Sequence, residues 1–301
     1  MKYFITSTLL LLAMLMPATA NADKFEADGI YYTTSENIAV VTYQDDPQGI
    51  GNSYSGNVVI PETVTNDLTG ETFTVISIGS LAFYGCHNLT GISLPNTIES
   101  IQSMAFYACI GLTRIDIPNS VRAIGDNAFY DCKGLTGLTL PNSVNEIGEF
   151  AFAKCDNLTN VTIPSSVISI SYGAFIYCPN LTDVYCFISD PSTVDTDMFV
   201  FHLQENDYTG RTLHVPFGSS NAYQNNSRWQ PYFEFIVEMR SDLVGDVDGD
   251  GVLTIADVVD IIDYLLHHDA TALILDNADV NGDNIITIAD ATALIDYILT
   301  H

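Results

Sequence analysis

Positive charge is scarce in this chain: 9 Lys and Arg stand against 37 Asp and Glu over 301 residues, a formal net charge of −28. That balance excludes nucleic acid and anionic membrane surfaces as natural partners and makes divalent cations the natural counter-ions. The shortage is greatest at the C-terminus, where after Arg240 there is no Lys, Arg or Glu and thirteen Asp remain. A segment that repels itself so strongly is expected to fold only around something positive. Catalytic motifs are also missing. None of His87, His202, His214, His267, His268 and His301 shares a recognisable motif with a nucleophile, and the recurrent acids form no matched pair. The expectation is a protein that is not an enzyme. Apolar runs are confined to the N-terminus, so no later segment is expected to span a bilayer. There, Lys2 precedes "LLLLAMLMP" and then "ATANA", the pattern of a signal peptide over residues 1–22 with cleavage after Ala20 or Ala22. No Cys adjoins that site, which argues against a lipid anchor. A secreted or cell-surface protein without membrane insertion is expected. The length suits two or three folded units.

Six Cys in a secreted protein would ordinarily suggest disulfides, but their spacing points elsewhere. Cys86, Cys109, Cys132, Cys155 and Cys178 recur every 23 residues, in step with Phe83, Phe106, Phe129, Phe152 and Phe175 and with Pro95, Pro118, Pro141 and Pro164. The unit reads "AFYACIGLTRIDIPNSVRAIG". A fixed period of this length implies a solenoid, because one unit cannot bury its own apolar rows and stacked units can. The alternating Leu112, Ile115 and Ile117 predict a short strand closed by Pro118, and "AFYAC" a one-turn helix or tight turn on the opposite side. The Cys row reads as a ladder of free thiols at a core position. Cys186 breaks the period; it takes the place of Leu94, Ile117, Leu140 and Ile163, a core position, and is also the best candidate for a disulfide. Asn88-Leu-Thr90, Asn157-Leu-Thr159 and Asn180-Leu-Thr182 have the form of glycosylation sequons, but their recurrence favours turn chemistry. The outward strand positions, Gly91/Ser93, Arg114/Asp116, Gly137/Thr139, Asn160/Thr162 and Asp183/Tyr185, form a small polar face poorly suited to stacking sugars or gripping an apolar peptide. Tyr84, Tyr107 and Tyr130 make a possible ligand strip on the turn side; the alternative is rings half-buried between coils.

This unit resembles the leucine-rich repeat, and within it the BspA-like subfamily of bacterial surface proteins. The expected organisation is an N-terminal cap and degenerate repeat over 23–74, repeats over 75–187, and a C-terminal cap of the solenoid over 188–240. The first contains "GNVVIPETV" and the last "TLHVPFGSSNAYQ". The expected fold class is a mainly β solenoid with short helical turns, ligand unknown, protein or glycan, followed by a small all-α unit over 241–301.

That last unit opens on "DVDGDGVLTIAD", whose acids occupy positions 1, 3, 5 and 12 of a twelve-residue calcium loop with Gly251 at position 6. Asp246, Asp248 and Asp250 would each give an oxygen, Val252 its carbonyl, Thr254 would hold a water, and Asp257 would close the site from the helix start. A second loop offers Asp279, Asn281, Asp283, the Ile285 carbonyl and Asp290, with Asn284 in place of the Gly. Two Ca²⁺ ions are expected. The loops lead into near-identical segments, "VVDIIDYLLHH" and "ATALIDYILTH". Two departures from an EF-hand pair, the lack of entering helices and Asp at position 12, make the duplicated loop-helix resemble a type I dockerin. The resemblance implies docking to a cohesin on another protein through Ile255, Ala256, Ile262 and Asp263, or through Ile288, Ala289, Ile295 and Asp296. Ile-Ala stands where many members carry a hydroxyl pair, which leaves the partner's identity open. The resulting expectation is a non-catalytic binding protein docked into a multiprotein complex. Two alternatives stand beside it: a surface adhesin with the dockerin as an intramolecular cap, and an accessory subunit of a polysaccharide-degrading complex.

Overall fold

The computed structural model describes residues 24–43, 54–196, 199–203, 208–216, 218–239, 245–248, 252–267, 275–280 and 285–300. The expected signal peptide, residues 1–22, lies outside them. The chain forms two compact units, Met1–Thr182 with Thr193–Tyr208, and Asp183–Ser192 with Thr209–His301. Among the described residues no helix is long and apolar enough to cross a membrane.

The first unit begins with an antiparallel meander, β1 (Lys24–Ala27), β2 (Ile30–Ser35) and β3 (Ile38–Thr42). It is followed by β4 (Gly56–Val59), β5 (Thr63–Thr65) and β6 (Thr72–Ile78). Each later coil adds one or two short strands: β7 (Leu89–Ser93), β8 (Ser100–Ile101), β9 (Ala123–Ile124), β10 (Gly137–Thr139), β11 (Glu146–Ile147), β12 (Asn160–Ile163) and β13 (Ser169–Ile170). β14 (Asp183–Cys186) belongs to the second unit and β15 (Asp195–Thr196) to the first. The long sheet of the first unit runs β1-β2-β3-β6-β8-β9-β11-β13-β15 and is parallel from β3 onward, with Ser77, Ser100, Ala123, Glu146 and Ser169 in register. The strands β8, β9, β11 and β13 are the last two residues of the Val-x-x-Ile part of the repeat (Ile98-x-x-Ile101 in the first copy), which the sequence reading left unassigned.

The predicted Leu-x-x-Ile-x-Ile strands form as β7, β10 and β12, with one correction. Leu112–Ile117 is not a strand, and among the described residues no ladder joins it to β7 or β10. Its neighbours across the stack contribute Gly91 and Gly137, which pair on their other sides with Asn57 of β4 and Asn160 of β12.

The turn side is continuous. Phe83, Phe106, Phe129, Phe152, Phe175 and Phe201 stack at 5.0–5.4 Å between ring centroids. The first five keep the 23-residue step, whereas Phe201 follows Phe175 by 26, so it escaped the period. "AFYAC" is a tight turn with no helix: the Phe106 and Ala108 N–H groups go to the next coil, while those of Ala105, Tyr107 and Cys109 bond three residues back within the turn. Phe83 N–H donates to the Ala105 carbonyl, Phe106 to Ala128 and Phe129 to Ala151, each at 2.7 Å. Left-handed residues at Leu81, Met104, Asn127 and Phe150, and again at Ala108, Asp131 and Lys154, turn the chain to make this possible.

All six cysteines are buried, and none forms a disulfide. Cys109, Cys132, Cys155 and Cys178 each donate the thiol hydrogen to the carbonyl of the Phe 26 residues earlier, at 3.0–3.4 Å. A hydroxyl row at the same period, Thr97, Ser120, Ser143 and Ser166, donates to carbonyls of the preceding coil at 2.6–2.7 Å. Of the sequon threonines, Thr159 and Thr182 donate to the Thr136 and Thr159 carbonyls, a structural use of the hydroxyl.

In the second unit β14, β16 (Thr212–Val215) and β17 (Phe235–Glu238) are parallel neighbours. The short helix α1 (Ser220–Gln224) buries Tyr223, whose hydroxyl donates to the Ile188 carbonyl at 2.7 Å and lies 3.1 Å from Cys186 Sγ. Cys186 is thus a core residue tied to a tyrosine. The remaining elements are α2 (Ile255–His267), α3 (Leu275–Ala278) and α4 (Ile288–Thr300).

Candidate metal centre and docking faces

The acidic segment folds around a small apolar cluster of Val247, Val258, Ile261, Ala278, Ala291 and Leu294. Buried positions repeat at an interval of 33: Asp257, Val258 and Ile261 in α2 correspond to Asp290, Ala291 and Leu294 in α4. Each helix starts in the same way. Thr254 N–H donates to Asp257 Oδ2 and Thr287 N–H to Asp290 Oδ2, both at 2.8 Å. The threonine oxygens in turn accept from Ala256 and Ala289 N–H at 3.0 and 3.1 Å. Threonine is therefore the N-cap and the aspartate its reciprocal partner, a box that satisfies orphan amides at the helix start.

The first loop brings Asp246, Asp248 and Asp257 together, with one carboxylate oxygen of each within 4.8 Å of the others. Asp246 and Asp257 are fully buried and Asp248 half-buried. Asp257 Oδ1 also accepts the Val247 N–H at 2.9 Å, which pins the helix start to the loop. Three carboxylates at this separation, in a segment without Lys or Arg, are a hard-oxygen donor set that fits a divalent cation and is costly without one. Val252, whose carbonyl was the fourth expected donor, is exposed; Asp250 lies outside the described residues. In the second loop Asp279 is half-buried, Asp290 fully buried and Ile285 exposed, while Asn281 and Asp283 lie outside the described residues. Burial, then the charges of Asp257 and Asp263, pushes the Asp260 carboxyl above the usual carboxylate range. Asn277, which sequence reading missed, crosses between the halves: its Nδ2 donates to the Asp246 carbonyl at 2.7 Å, and its own carbonyl accepts from Gly245 N–H at 2.8 Å.

Of the expected partner residues, Ile255 and Ile288 are each 63% exposed, and Ala256, Ala289, Asp263 and Asp296 are exposed with them. Ile262 and Ile295 are partly buried against the apolar cluster. Asp263 accepts or shares a proton with His267 Nδ1 at 2.9 Å, one turn on. The Tyr84, Tyr107 and Tyr130 rings stack on each other at 4.9 Å, and Lys154 Nζ lies 5.2 Å from the Tyr130 ring centre. Their faces are turned to one another, so the strip offers solvent ring edges and hydroxyls. Burial, then the hydroxyls of Tyr130 and Tyr84, raises the Tyr107 phenol.

Comparison with known proteins matches residues 72–202 to the BspA type leucine rich repeat region, in six copies, and residues 244–299 to the dockerin type I domain. Both are typically non-catalytic binding modules, and type I dockerin domains bind calcium. No curated protein matches. Among solved structures, the T. pallidum Leucine Rich Repeat protein is similar at 24% identity over 61% of this chain and 92% of the other, with a TM-score of 0.44. A leucine-rich repeat protein from Bacteroides ovatus is similar at 18% identity over 71% and 76%, with a TM-score of 0.37.

Proposed function

Because this chain joins a BspA-type leucine-rich-repeat region to a type I dockerin domain, we propose that it is a secreted, non-catalytic adaptor. Its C-terminal unit docks to a cohesin on another protein, and its repeats present a recognition surface. The observation that carries this reading is the convergence of Asp246, Asp248 and Asp257 at the start of α2. One Ca²⁺ would sit there with Asp250 and the Val252 carbonyl, and a second among Asp279, Asn281, Asp283, the Ile285 carbonyl and Asp290. The ion neutralises a chain segment that has no positive side chain of its own and fixes the two helix starts, so docking depends on calcium. Residues 241–301 then serve as the docking module, 75–187 as the repeats, and 23–74 and 188–240 as their caps.

The test is capture of the purified full chain by a panel of immobilised cohesin domains, with calcium and with chelator. Capture by a cohesin that chelator reverses is the expected result. Failure of every cohesin with calcium present would refute docking in trans.

A further inference from the structure

The interruption at Leu112–Ile117 lies beside a cleft of about 460 Å³ on the strand side, lined among others by Thr113, Arg114, Asp116, Thr136, Thr139 and Asn160. Its volume lies within the range of small-ligand sites. The position of Arg114 is unusual. Across the stack its row reads Gly91, Arg114, Gly137, Asn160, so the coils on both sides carry no side chain next to it. Amides lean over the two glycines. Asn160 Oδ1 lies 3.1 Å from where a Gly137 Cβ would stand, and Asn57 Oδ1 lies 2.6 Å from that of Gly91. Glycine costs stability in a strand, and here, in the coils on either side, it leaves the space next to one guanidinium open.

The donors and acceptors identify the ligand class. Arg114 donates through Nε and Nη2 to Asp116 at 2.8–3.0 Å, and both side chains are more than three-quarters exposed. Asp116 cancels the charge of Arg114, and the chain as a whole is strongly acidic, so anions are disfavoured. Ile115 and Ile117 are buried, which leaves the cleft rim to hydroxyl, amide, guanidinium and carboxylate groups, with Pro141 as a half-exposed apolar wall. A hydroxyl-rich neutral ligand needs donors and acceptors alternating at close range, and Arg114, Asp116, Asn160, Thr136 and Thr139 supply both. We infer that this cleft binds a neutral saccharide through the Arg114–Asp116 pair. The inference deepens the reading of the repeats as a recognition surface, and it departs from the expectation that the strand face is ill-suited to sugars, because hydrogen bonding here replaces ring stacking.

The experiment uses the full chain with calcium. Neutral gluco-, xylo- and manno-oligosaccharides of two to six units are the probes, with oligogalacturonate and an unstructured peptide as controls. Binding is detected by saturation-transfer NMR and quantified by calorimetry. At least one neutral oligosaccharide is expected to bind, and Arg114→Ala and Asp116→Ala should each weaken it about tenfold or more. Both side chains stand in solvent, so the unfolding midpoint should not move. No binding by any neutral probe at about 10 mM, unchanged binding in both variants, or a preference for the oligogalacturonate or the peptide would overturn the inference. Cohesin capture is scored on the same variants. If it persists while saccharide binding fails, the cleft reading alone is wrong.

Discussion

Replacing Cys132 tests how the thiol row is held. The side chain is fully buried, and Sγ donates to the Phe106 carbonyl at 3.0 Å. That carbonyl also accepts the Cys109 N–H at 3.1 Å, so removal of the thiol leaves no unsatisfied acceptor. Cys132→Ala deletes one heavy atom and leaves a small void, and should cost about 1–2 kcal/mol from lost transfer energy and the cavity together. Cys132→Ser keeps a donor. Its shorter C–O bond draws the hydroxyl back, toward the long end of hydrogen-bonding range, but the Phe106 carbonyl is still in line. A satisfied hydroxyl regains about 1 kcal/mol, whereas an orphaned one adds a penalty of about 1–3 kcal/mol. The serine variant should therefore be no less stable than the alanine variant. Urea unfolding of the full chain in saturating calcium, followed by far-ultraviolet circular dichroism, gives the comparison. A serine variant less stable than alanine by about 1 kcal/mol or more would refute the thiol-to-carbonyl bond.

Calcium removal should abolish most of the helix contributed by α2 and α4, because the acidic segment that carries them has no Lys or Arg to serve as counter-charge; circular dichroism that is unchanged by chelator would contradict this. Stability should also fall in alkali. Burial pushes Cys86 up to about 12 and Cys186 to about 11, so both stay protonated in the fold while unfolded thiols ionise near pH 8.5. The stabilisation is complete below that pH and is lost as pH rises toward 11–12; a flat unfolding midpoint from pH 8 to 11 would count against buried neutral thiols. At the docking faces, Ile255 and Ile288 are equally exposed, so Ile255→Asp alone should weaken a cohesin little if both orientations work, and the double change with Ile288→Asp should cost on the order of 100-fold. Calorimetry in calcium would rule out dual use if the single substitution abolished binding.

Features that repeat or lie within one loop were legible in the sequence, and features made by stacking were not. The 23-residue step placed Phe83 to Phe175 and Cys86 to Cys178 in the core, and the carboxylates at 246, 248 and 257 needed only the spacing of one loop to be read together. Phe201 was missed because its coil carries three extra residues. Asn277 was missed because it meets Asp246 across 31 residues of sequence. Whether "AFYAC" would be helix or turn depended on where its amides went, and those of Phe106 and Ala108 find their acceptors in the next coil. The alternation of Leu112, Ile115 and Ile117 is as regular as in any copy, so nothing local marked it as the segment without a ladder. The strands on each side of it, at Gly91 and Gly137, pair with their other neighbours, which becomes visible only once the copies are set in register.

That contrast shows which side of the repeat is free to change. On the turn side each Phe stacks on the next, the Phe83, Phe106 and Phe129 amides each reach the following coil, and from Cys109 to Cys178 each thiol bridges to a carbonyl of the preceding coil. These contacts continue without a gap through the coil that contains Leu112–Ile117. The strand ladder stops at that coil, yet the Phe rings on either side of Phe106 keep their 5.0–5.1 Å spacing. Stacking is therefore maintained by the turn side and by the second, two-residue strands, and does not require a complete ladder on the strand face. Residues there can be exchanged for glycine, arginine and aspartate at little cost to the stack. In a repeat protein the face not needed for stacking is the one on which a specific site can be built, and here that face is the one bearing Arg114 and Asp116.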